Sequence, residues 1–537
     1  MFSLLLPPKG GGDRSAEIPR QDRRVFLWGK GVSMAYQELA TQRALDGENY
    51  SRKINNDFYE GDFGESKATL LERDVNQRLG EMSKGDRADL YTLTVGNAQV
   101  KGLMLLDAPI PMIPVPIFFD REKTADKANK IEKVHNALIK IEELAFSENP
   151  VGKQILQTVT EGMSTPEKEL LLRTETPLPS TIRRRNTRFD TFYNTDTNDM
   201  AIIEANTTNP EGMLYHLILQ ETGRDFMQAL GYDPKEFDQT KDSAAHQVIR
   251  MFQEEYEERK GEPLKTLGVV YEPTDEASVV NQSEIPRLKE FFQSFSIDLH
   301  IGAPTEVETE DDQVVINGEP VDAIWRNAVD LEKALKNAPG FIDVLAHPST
   351  YVVLNDDRGR FMGSKHLLAE LHDPKVQKAA GFTDEEIAAI KEIVPFTFNP
   401  ADVEALEGPG GETLTAKEYL MQFRKEFILK PSSGTHGEEL NFGVNNKDWE
   451  KTVDTAITQG GFVAQRYIPY NSITRPITSI TAEGDLVTAN YVQDTNIHVI
   501  GGKALGTSIC RASLATKGEI KVLNVAAGGG LQPSLLV

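Results

Sequence analysis

The stretch from Arg188 to Asn206, RFDTFYNTDTNDMAIIEAN, decides the predicted fold because it joins two strand-like arms through a polar turn. Residues alternate sides along a strand, so Glu204 and Asn206 are expected to face the same way. A hairpin closed by the turn brings Asp190 to that side as well. Carboxylate and amide oxygens suit a hard cation such as Mg²⁺. Two interpretations stay open here: a magnesium site, or a surface hairpin with solvated acids.

Size and composition limit the classes of protein that the chain can represent. A length of 537 residues predicts about two to four domains. The formal charge of −24 argues against non-specific binding to nucleic acid or to an anionic membrane. The single cysteine, Cys510, excludes a disulfide framework and a cysteine-based zinc site, and we expect it to be a buried packing residue. The absence of a long apolar run and of signal-peptide features predicts a cytoplasmic protein without membrane spans.

The first 180 residues are expected to be mainly helical. Segments 66–83 and 124–147 carry apolar residues at three-and-four spacing, which is typical of amphipathic helices. Between them, APIPMIPVPIFF at 108–119 contains four prolines, which forbid a helix and favour an extended connector. We assign residues 1–180 to an N-terminal region that shapes the substrate pocket.

The middle of the chain divides into two expected parts. Residues 181–262 hold the metal hairpin followed by two helices, the first opening at Pro210. The basic run just before the hairpin, Arg183 to Arg185, either holds a phosphate or carboxylate substrate, or is a solvated face or a structural pair for nearby acids. Residues 263–345 predict a small parallel α/β domain, because a strand at 266–271, a helix and a second strand at 297–301 follow one another closely.

The last part, 346–537, is expected to be an antiparallel, strand-dominated region. Within it, an apolar strand delivers Lys430, and Pro431 ends that strand. A loop of small residues follows, whose backbone N–H groups can bend around phosphate oxygens beside the lysine charge. The order of residues is not that of a P-loop, and a tight turn without a ligand is the alternative. The residues assigned to this phosphate loop are Ser432, Ser433, Gly434, Thr435 and Gly437.

Two further segments are expected at the same site. Lys365, at the start of a helix, is placed to reach the same phosphates. The strand at 461–468 is placed to hydrogen-bond an adenine edge through its backbone from Gln465 to Tyr467. The alternatives are a surface lysine and an ordinary core strand.

Three separated motifs carry a resemblance to a known family. They are Arg188-x-Asp190 with Glu204-x-Asn206, GSKHLL at 363–368, and KPxxGxxG at 430–437. In this order they resemble the circularly permuted ATP-grasp proteins, among them the synthetase domain of glutathionylspermidine synthase and its relatives. The likeness extends from about residue 105 to the C-terminus, and includes FVAQRYIP at 462–469 and the segment 507–533.

The resemblance implies a fold and a set of residue roles. The implied fold is a multidomain α+β and α/β protein, with a permuted ATP-grasp core, a small parallel pre-ATP-grasp domain at 263–345, a nucleotide-binding region at 346–537 and the helical N-terminal region. It implies that Arg188 and Arg511 steady the transferring phosphoryl group and the acyl phosphate. The remaining matches are Mg²⁺ ligands at Asp190, Glu204 and Asn206, phosphate lysines at Lys365 and Lys430, a lid at 432–437 and an adenine contact at Gln465.

The implied activity is an ATP- and Mg²⁺-dependent carbon–nitrogen ligase. Its chemistry joins a carboxylate to an amine through an acyl phosphate, with small molecules as substrates. Two alternatives stay open: a phosphoryl transferase that stops at a phosphorylated product, and a nucleotide-binding scaffold without catalysis. The sequence leaves the acid, the amine and the oligomeric state unassigned.

Overall fold

The computed structural model describes residues 66–537 except for several internal segments. The segments outside the description are 106–107, 176–184, 195–196, 198, 208–209, 211, 238, 274–284, 329–330, 355, 433–439, 470–472, 507–508, 516–522, 524 and 526–528. Expectations for residues 1–65, for two members of the basic run and for most of the phosphate loop therefore lie outside the described residues. The members of the basic run and of the phosphate loop that lie outside the described residues are Arg183, Arg184, Ser433, Gly434, Thr435 and Gly437.

The described N-terminal part is helical, as the apolar spacing predicts. Two serines cap the first two helices: the Ser66 hydroxyl accepts from the backbone N–H of Thr69, and the Ser83 hydroxyl accepts from that of Asp86. Asp120 caps the third helix in the same way. The helices are α1 (Lys67–Glu81), α2 (Lys84–Val100), α3 (Arg121–Ala145), α4 (Pro150–Glu161) and α5 (Thr165–Arg173).

The proline-rich segment is extended, as expected. It begins with a small antiparallel pair formed by β1 (Met104–Leu105) and β2 (Ala108–Pro109). Strand β3 (Ile117–Phe119) then pairs in parallel with the last strand of the chain, β24 (Ser534–Leu536). The segment therefore ties the helical region to the C-terminus.

The predicted hairpin is confirmed, and it forms part of a seven-stranded antiparallel sheet. Its path runs β23-β22-β20-β4-β5, with β19 and β21 also paired to β20. One face packs against α3, where Phe189 and Ile202 join a buried apolar cluster. The opposite face of the hairpin carries the polar residues. The strands are β4 (Asn186–Asn194), β5 (Asp199–Asn206), β19 (Thr474–Ile480), β20 (Leu486–Ile500), β21 (Lys503–Ala504), β22 (Ile509–Leu514) and β23 (Gly530–Gln532).

Two helices follow the hairpin, but the first begins later than expected. Helix α6 spans Met213–Ala229 rather than opening at Pro210, and α7 spans Ala244–Lys260. Gly212 precedes α6 with φ 93°, a left-handed conformation that glycine adopts without steric cost. The chain therefore turns at Gly212 before the helix can start, and the expected start at Pro210 is wrong.

The predicted parallel α/β unit is confirmed. Its strands lie in the order β12-β11-β6-β7, all parallel, and α8 (Ile285–Gln293) connects the first two in sequence. An Asn-Gly turn joins two antiparallel strands of this part, with φ 55° at Asn317 and 80° at Gly318. The strands are β6 (Thr266–Val270), β7 (Asp298–Gly302), β11 (Ala323–Arg326) and β12 (Val353–Leu354), and a small antiparallel sheet adds β8 (Val307–Glu310), β9 (Gln313–Ile316) and β10 (Glu319–Val321).

Strand β12 corrects one expectation for the last part of the chain. The sequence assigns it to the antiparallel region that begins at residue 346, yet it extends the parallel sheet beside β11. A strand of two residues carries too short a pattern to reveal its partner. The helices around it are α9 (Leu331–Ala334), α10 (Pro339–Ala346), α11 (Asp357–Met362) and α12 (His366–Glu370).

A four-stranded antiparallel sheet completes the described fold, in the order β13-β18-β16-β17. Its core is centred on Trp449, whose indole N–H donates to the Leu420 carbonyl at 3.0 Å. None of the described helices is both long and apolar enough to cross a bilayer. The remaining elements are α13 (Pro374–Ala379), α14 (Asp384–Ile393), β13 (Thr397–Phe398), β14 (Leu406–Glu407), β15 (Thr413–Leu414), α15 (Ala416–Gln422), β16 (Phe427–Pro431), β17 (Asn441–Phe442), α16 (Trp449–Gln459) and β18 (Phe462–Arg466).

Parallel and antiparallel sheets thus occur together, which is consistent with a multidomain α+β fold. The division of the chain at residues 180, 262 and 345 stays a prediction.

Candidate functional site

The hairpin brings the three predicted metal ligands to one side of the seven-stranded sheet. Asp190 lies directly opposite Glu204, and Arg188 lies opposite Asn206. The Asn206 amide donates from Nδ2 to Asp190 Oδ1 at 3.1 Å. The register then shifts so that Thr191 pairs with Ile202, which makes Ile203 the extra residue of a bulge.

Two arginines meet at the Asp190 carboxylate. Arg188 Nε donates to Oδ1 at 3.0 Å, and Arg511 Nη2 donates to Oδ2 at 3.0 Å. Burial by itself raises the pKa of Asp190, but the charges of Arg188 and Arg511 outweigh it and hold the pKa well below its usual range. Asp190 is therefore ionised, and both arginines that the resemblance implied lie beside it.

The long strand β20 contributes two residues that the sequence reasoning missed. Asn496 lies opposite Asp190 and donates from Nδ2 to Oδ1 at 2.7 Å. Asp494 lies opposite Arg511 and accepts from its Nε at 2.9 and 3.1 Å. Burial raises the pKa of Asp494 to about 6, more than the Arg511 charge lowers it. The sequence signal is the unbroken polar run from Gln493 to Asn496, which shows no alternation.

The two predicted phosphate lysines converge on β5 from other parts of the fold. Lys430, on β16, is buried and donates from Nζ to the Ile203 carbonyl at 3.2 Å, where the bulge lies. Lys365, just before α12, places Nζ 3.0 Å from Glu204 Oε1. Lys430 from the four-stranded sheet and Lys365 from the residue before α12 thus both reach the hairpin. The Lys430 and Ile203 positions are 227 residues apart in the chain.

Burial changes the acid–base behaviour of Lys430. It lowers the pKa to about 8, while the Glu204 charge opposes this shift and the Lys365 charge adds to it. An ammonium group without water is less stable than in solution, and only a nearby anion restores it. A bound phosphate is an anion of this kind.

The predicted adenine strand lies next to Lys430. The Gln465 side chain is buried, accepts from Lys430 Nζ at 2.7 Å and donates to Thr397 Oγ1 at 3.2 Å. The Tyr467 backbone N–H donates to the Glu426 carbonyl at 2.7 Å, and that of Arg466 donates to Phe396. These two N–H groups are engaged within the fold, and the adenine contact of this strand stays a prediction.

The start of the predicted phosphate loop is also described. Ser432 is buried, and its backbone N–H donates to the Gly461 carbonyl at 2.9 Å. Its carbonyl accepts from the backbone N–H of Lys365 at 3.4 Å. This contact links the loop to the start of α12. The following residues, Ser433 to Gly437, lie outside the described residues.

The donor set fits a magnesium ion that shares its coordination with phosphate oxygens. Within the described ranges no group of three or more His, Cys, Asp or Glu side chains is placed to hold a metal. The predicted set instead has two carboxylates and one amide, from Asp190, Glu204 and Asn206. Mg²⁺ is commonly bound by one or two carboxylates plus phosphates and water. The Glu204 side chain is 31% exposed, which leaves it open to such a ligand.

Cys510 is a free cysteine, and its side chain is buried. Burial raises the pKa of its thiol to about 12, so the thiolate is not formed near neutral pH. The expectation that Cys510 serves packing agrees with its full burial.

Comparisons with known proteins identify a shared fold. No protein-family model matches the chain, and no curated protein matches it in sequence. Among solved structures, a glutathione synthetase-like effector from Globodera pallida in its apo form matches with a TM-score of 0.51 and 12% identity, over 85% of this chain and 98% of that chain. A putative gamma-glutamylcysteine synthetase from Methylobacillus flagellatus gives a TM-score of 0.30 at 10% identity, over 73% of this chain and 86% of that one. The chain is therefore similar in overall fold to the glutathione synthetase-like protein.

Proposed function

We propose that this protein is an ATP- and Mg²⁺-dependent ligase that joins a carboxylate to an amine, on a circularly permuted ATP-grasp core. The observation that carries the proposal is the meeting of four cations and two carboxylates on one hairpin. Asp190 and Arg511, for example, touch across 321 residues of chain. The set comprises Arg188, Arg511, Lys365 and Lys430 with Asp190 and Glu204.

The proposed chemistry needs positioning and charge neutralisation more than a protein nucleophile. The substrate carboxylate attacks the γ-phosphorus of ATP, which releases ADP and forms an acyl phosphate. The amine then attacks the acyl carbon, phosphate leaves, the amide bond forms and the ammonium proton passes to solvent or to a base. No covalent enzyme intermediate is required, which agrees with the buried Cys510.

Each charged group has a part in this reaction. Lys365 and Lys430 hold the ATP phosphates, in place of their present contacts with Glu204 and the Ile203 carbonyl. Arg188 and Arg511 neutralise the charge that builds up on the transferring phosphoryl group. Asp190, Glu204 and Asn206 would hold Mg²⁺, which screens the phosphate oxygens when it is bound.

The solved structure with the same fold supports the proposal, because the name of that protein refers to glutathione synthetase. Glutathione is a peptide, so an enzyme that synthesises it forms an amide from a carboxylate and an amine. The chain's own acid and amine are not assigned by this likeness.

The test measures ADP release with pools of small carboxylates and amines, in wild type and in folded Glu204→Gln and Lys430→Ala variants. Losing a charge-assisted phosphate contact costs about 1.5–3 kcal/mol, so we expect Lys430→Ala to lose roughly 10- to 150-fold in kcat/KM. Lys417→Ala is the matched control, because Lys417 pairs with Glu450 and Asp454 on the surface. Full activity in both site variants would refute the assignment.

Hydroxylamine distinguishes the alternatives. With the acid and ATP but no amine, an acyl phosphate is trapped as a hydroxamate. ADP formation with a stable phosphorylated product instead indicates a phosphoryl transferase. ATP binding without ADP release across the whole screen indicates a scaffold.

A further inference from the structure

Strand β20 forms part of the site without any role assigned to it so far. It lies between β4 and β22 in the sheet. Its register sets Asp494 opposite Arg511 and Asn496 opposite Asp190. Side chains two residues apart in a strand share a face, so β20 presents an acid and an amide to the two groups that the proposed reaction uses most directly.

Asp494 holds Arg511 along one edge of the guanidinium. Its two oxygens accept from Nε at 2.9 and 3.1 Å, and Oδ2 also accepts from Nη2. Only 1% of the Asp494 side chain is exposed, so the packing around this carboxylate keeps it in place. A guanidinium is planar and rigid, so fixing this edge fixes the direction of the other.

Nη1 takes no part in the hydrogen bonds between Arg511 and Asp494. Among the described residues, every hydrogen bond of the Arg511 side chain is made through Nε or Nη2, to Asp494 or to Asp190. The Arg511 side chain is 14% exposed, so the fold does not enclose it completely.

Asp190 cannot serve as the lasting anchor of Arg511. It is also a proposed metal ligand, and its oxygens already accept from Arg188, Asn206 and Asn496. A metal ion held by this carboxylate would weaken its contact with Arg511. Asp494 has no such second duty, since its described side-chain hydrogen bonds all go to Arg511.

Resting on the ligase activity proposed above, we propose that Asp494 is a positioning residue that aims the Nη1 edge of Arg511 at the transferring phosphoryl group. It acts only through Arg511 and touches no substrate. Its loss therefore lowers the rate of the chemical step and leaves the binding of ATP nearly unchanged. A merely structural ion pair would instead lower stability, and would reduce kcat and binding together.

The first experiment is a double-mutant cycle with Asp494→Asn, Arg511→Ala and the pair combined. Asparagine keeps the size of the side chain and one acceptor oxygen. We expect Asp494→Asn to lower kcat by roughly 10- to 100-fold, with the KM for ATP within about twofold of wild type. In the Arg511→Ala background, the same substitution should change kcat no further. Asp494→Glu, which keeps the charge, should restore part of the rate.

The matched control is Asp485→Asn, the same substitution at an exposed acid just before β20 that pairs with Lys84. It should leave kcat unchanged. Wild-type kcat in a folded Asp494→Asn variant would overturn the proposal, and so would losses that simply add in the double variant.

A second readout does not depend on activity. Phenylglyoxal modifies accessible guanidinium groups, and peptide mass spectrometry reports its rate at Arg511. The rate should rise in Asp494→Asn and stay unchanged in Asp485→Asn. If wild type releases no ADP but this difference is found, the ligase assignment fails while the hold of Asp494 on Arg511 stands. If wild type is an active ligase and neither kcat nor the modification rate responds, the positioning role is wrong.

Discussion

Lys430 should make nucleotide binding depend on pH. Burial lowers its pKa from the usual 10.5 to about 8, with Glu204 opposing the shift and Lys365 adding to it. A phosphate binds the charged ammonium more tightly than the neutral amine. Well below pH 8 the Lys430 ammonium is already charged, so it takes up no proton when the phosphate binds. Above pH 8 the free protein must first gain a proton, so the affinity falls as the pH rises.

The size of the effect follows from the shift. One pKa unit corresponds to about 1.36 kcal/mol, so affinity for a non-hydrolysable ATP analogue should fall roughly tenfold per pH unit above pH 8. This slope holds while the pKa in the complex stays above the pH of the measurement. Proton uptake on binding through Lys430 should be about half a proton at pH 8 and roughly 0.9 at pH 9.

Calorimetry in buffers of different ionisation enthalpy measures both quantities. Lys430→Arg is the control, because arginine stays charged over this range and should remove the proton uptake assigned to Lys430. Subtracting its profile also removes the titration of the nucleotide itself. Equal slopes in wild type and Lys430→Arg, or no extra proton uptake by wild type at pH 9, would refute the reasoning.

Three further substitutions test other contacts. Lys365→Met frees Glu204 from a pair at 3.0 Å, so Mg²⁺ alone should bind about fivefold more tightly, or about 1 kcal/mol, in a titration without nucleotide; unchanged affinity would contradict this. Arg185→Met leaves the buried carboxylates of Glu142 and Asp356 without their cation; Arg185 Nη2 lies 2.8 Å from Asp356 Oδ1 in the wild type. The substitution should cost about 3–5 kcal/mol of stability in chemical denaturation. Gly359→Ala puts a Cβ 2.8 Å from the carbonyl oxygen just after β5 and should lower stability by about 1–3 kcal/mol, whereas Gly80→Ala, with open space around it, should not.

Local patterns in the sequence predict the elements of the site well. The hairpin follows from alternation and a polar turn, and the turn at Asn317 and Gly318 follows from the positive φ that this pair accepts. The parallel unit follows from strand, helix and strand with short links. In each case the deciding interactions lie within about ten to forty residues of one another, so a local pattern contains them.

The contacts across the site could not be predicted in the same way. Asp494 and Asn496 matter because of the strands beside β20, and a register between distant strands leaves no local pattern. Most of the second half of β20 is buried on both faces, so its polar residues are not marked by an apolar alternation. The low pKa of Lys430 likewise comes from burial against elements far away in the chain.

The bulge at Ile203 explains how strand β5 can pair within the seven-stranded sheet and also contact Lys430 of the four-stranded sheet. A regular strand would pair each residue of β5 with β4, but the shifted register leaves Ile203 out of that pairing. Its carbonyl is instead used by Lys430, while the next residue, Glu204, keeps its place opposite Asp190 and pairs with Lys365. Both lysines thus contact β5. In the proposed reaction, a metal ion bound at Glu204 would release Lys365 for a phosphate. Binding of Mg²⁺ and ATP should therefore be mutually reinforcing, and by linkage each should raise the affinity of the other by the same factor.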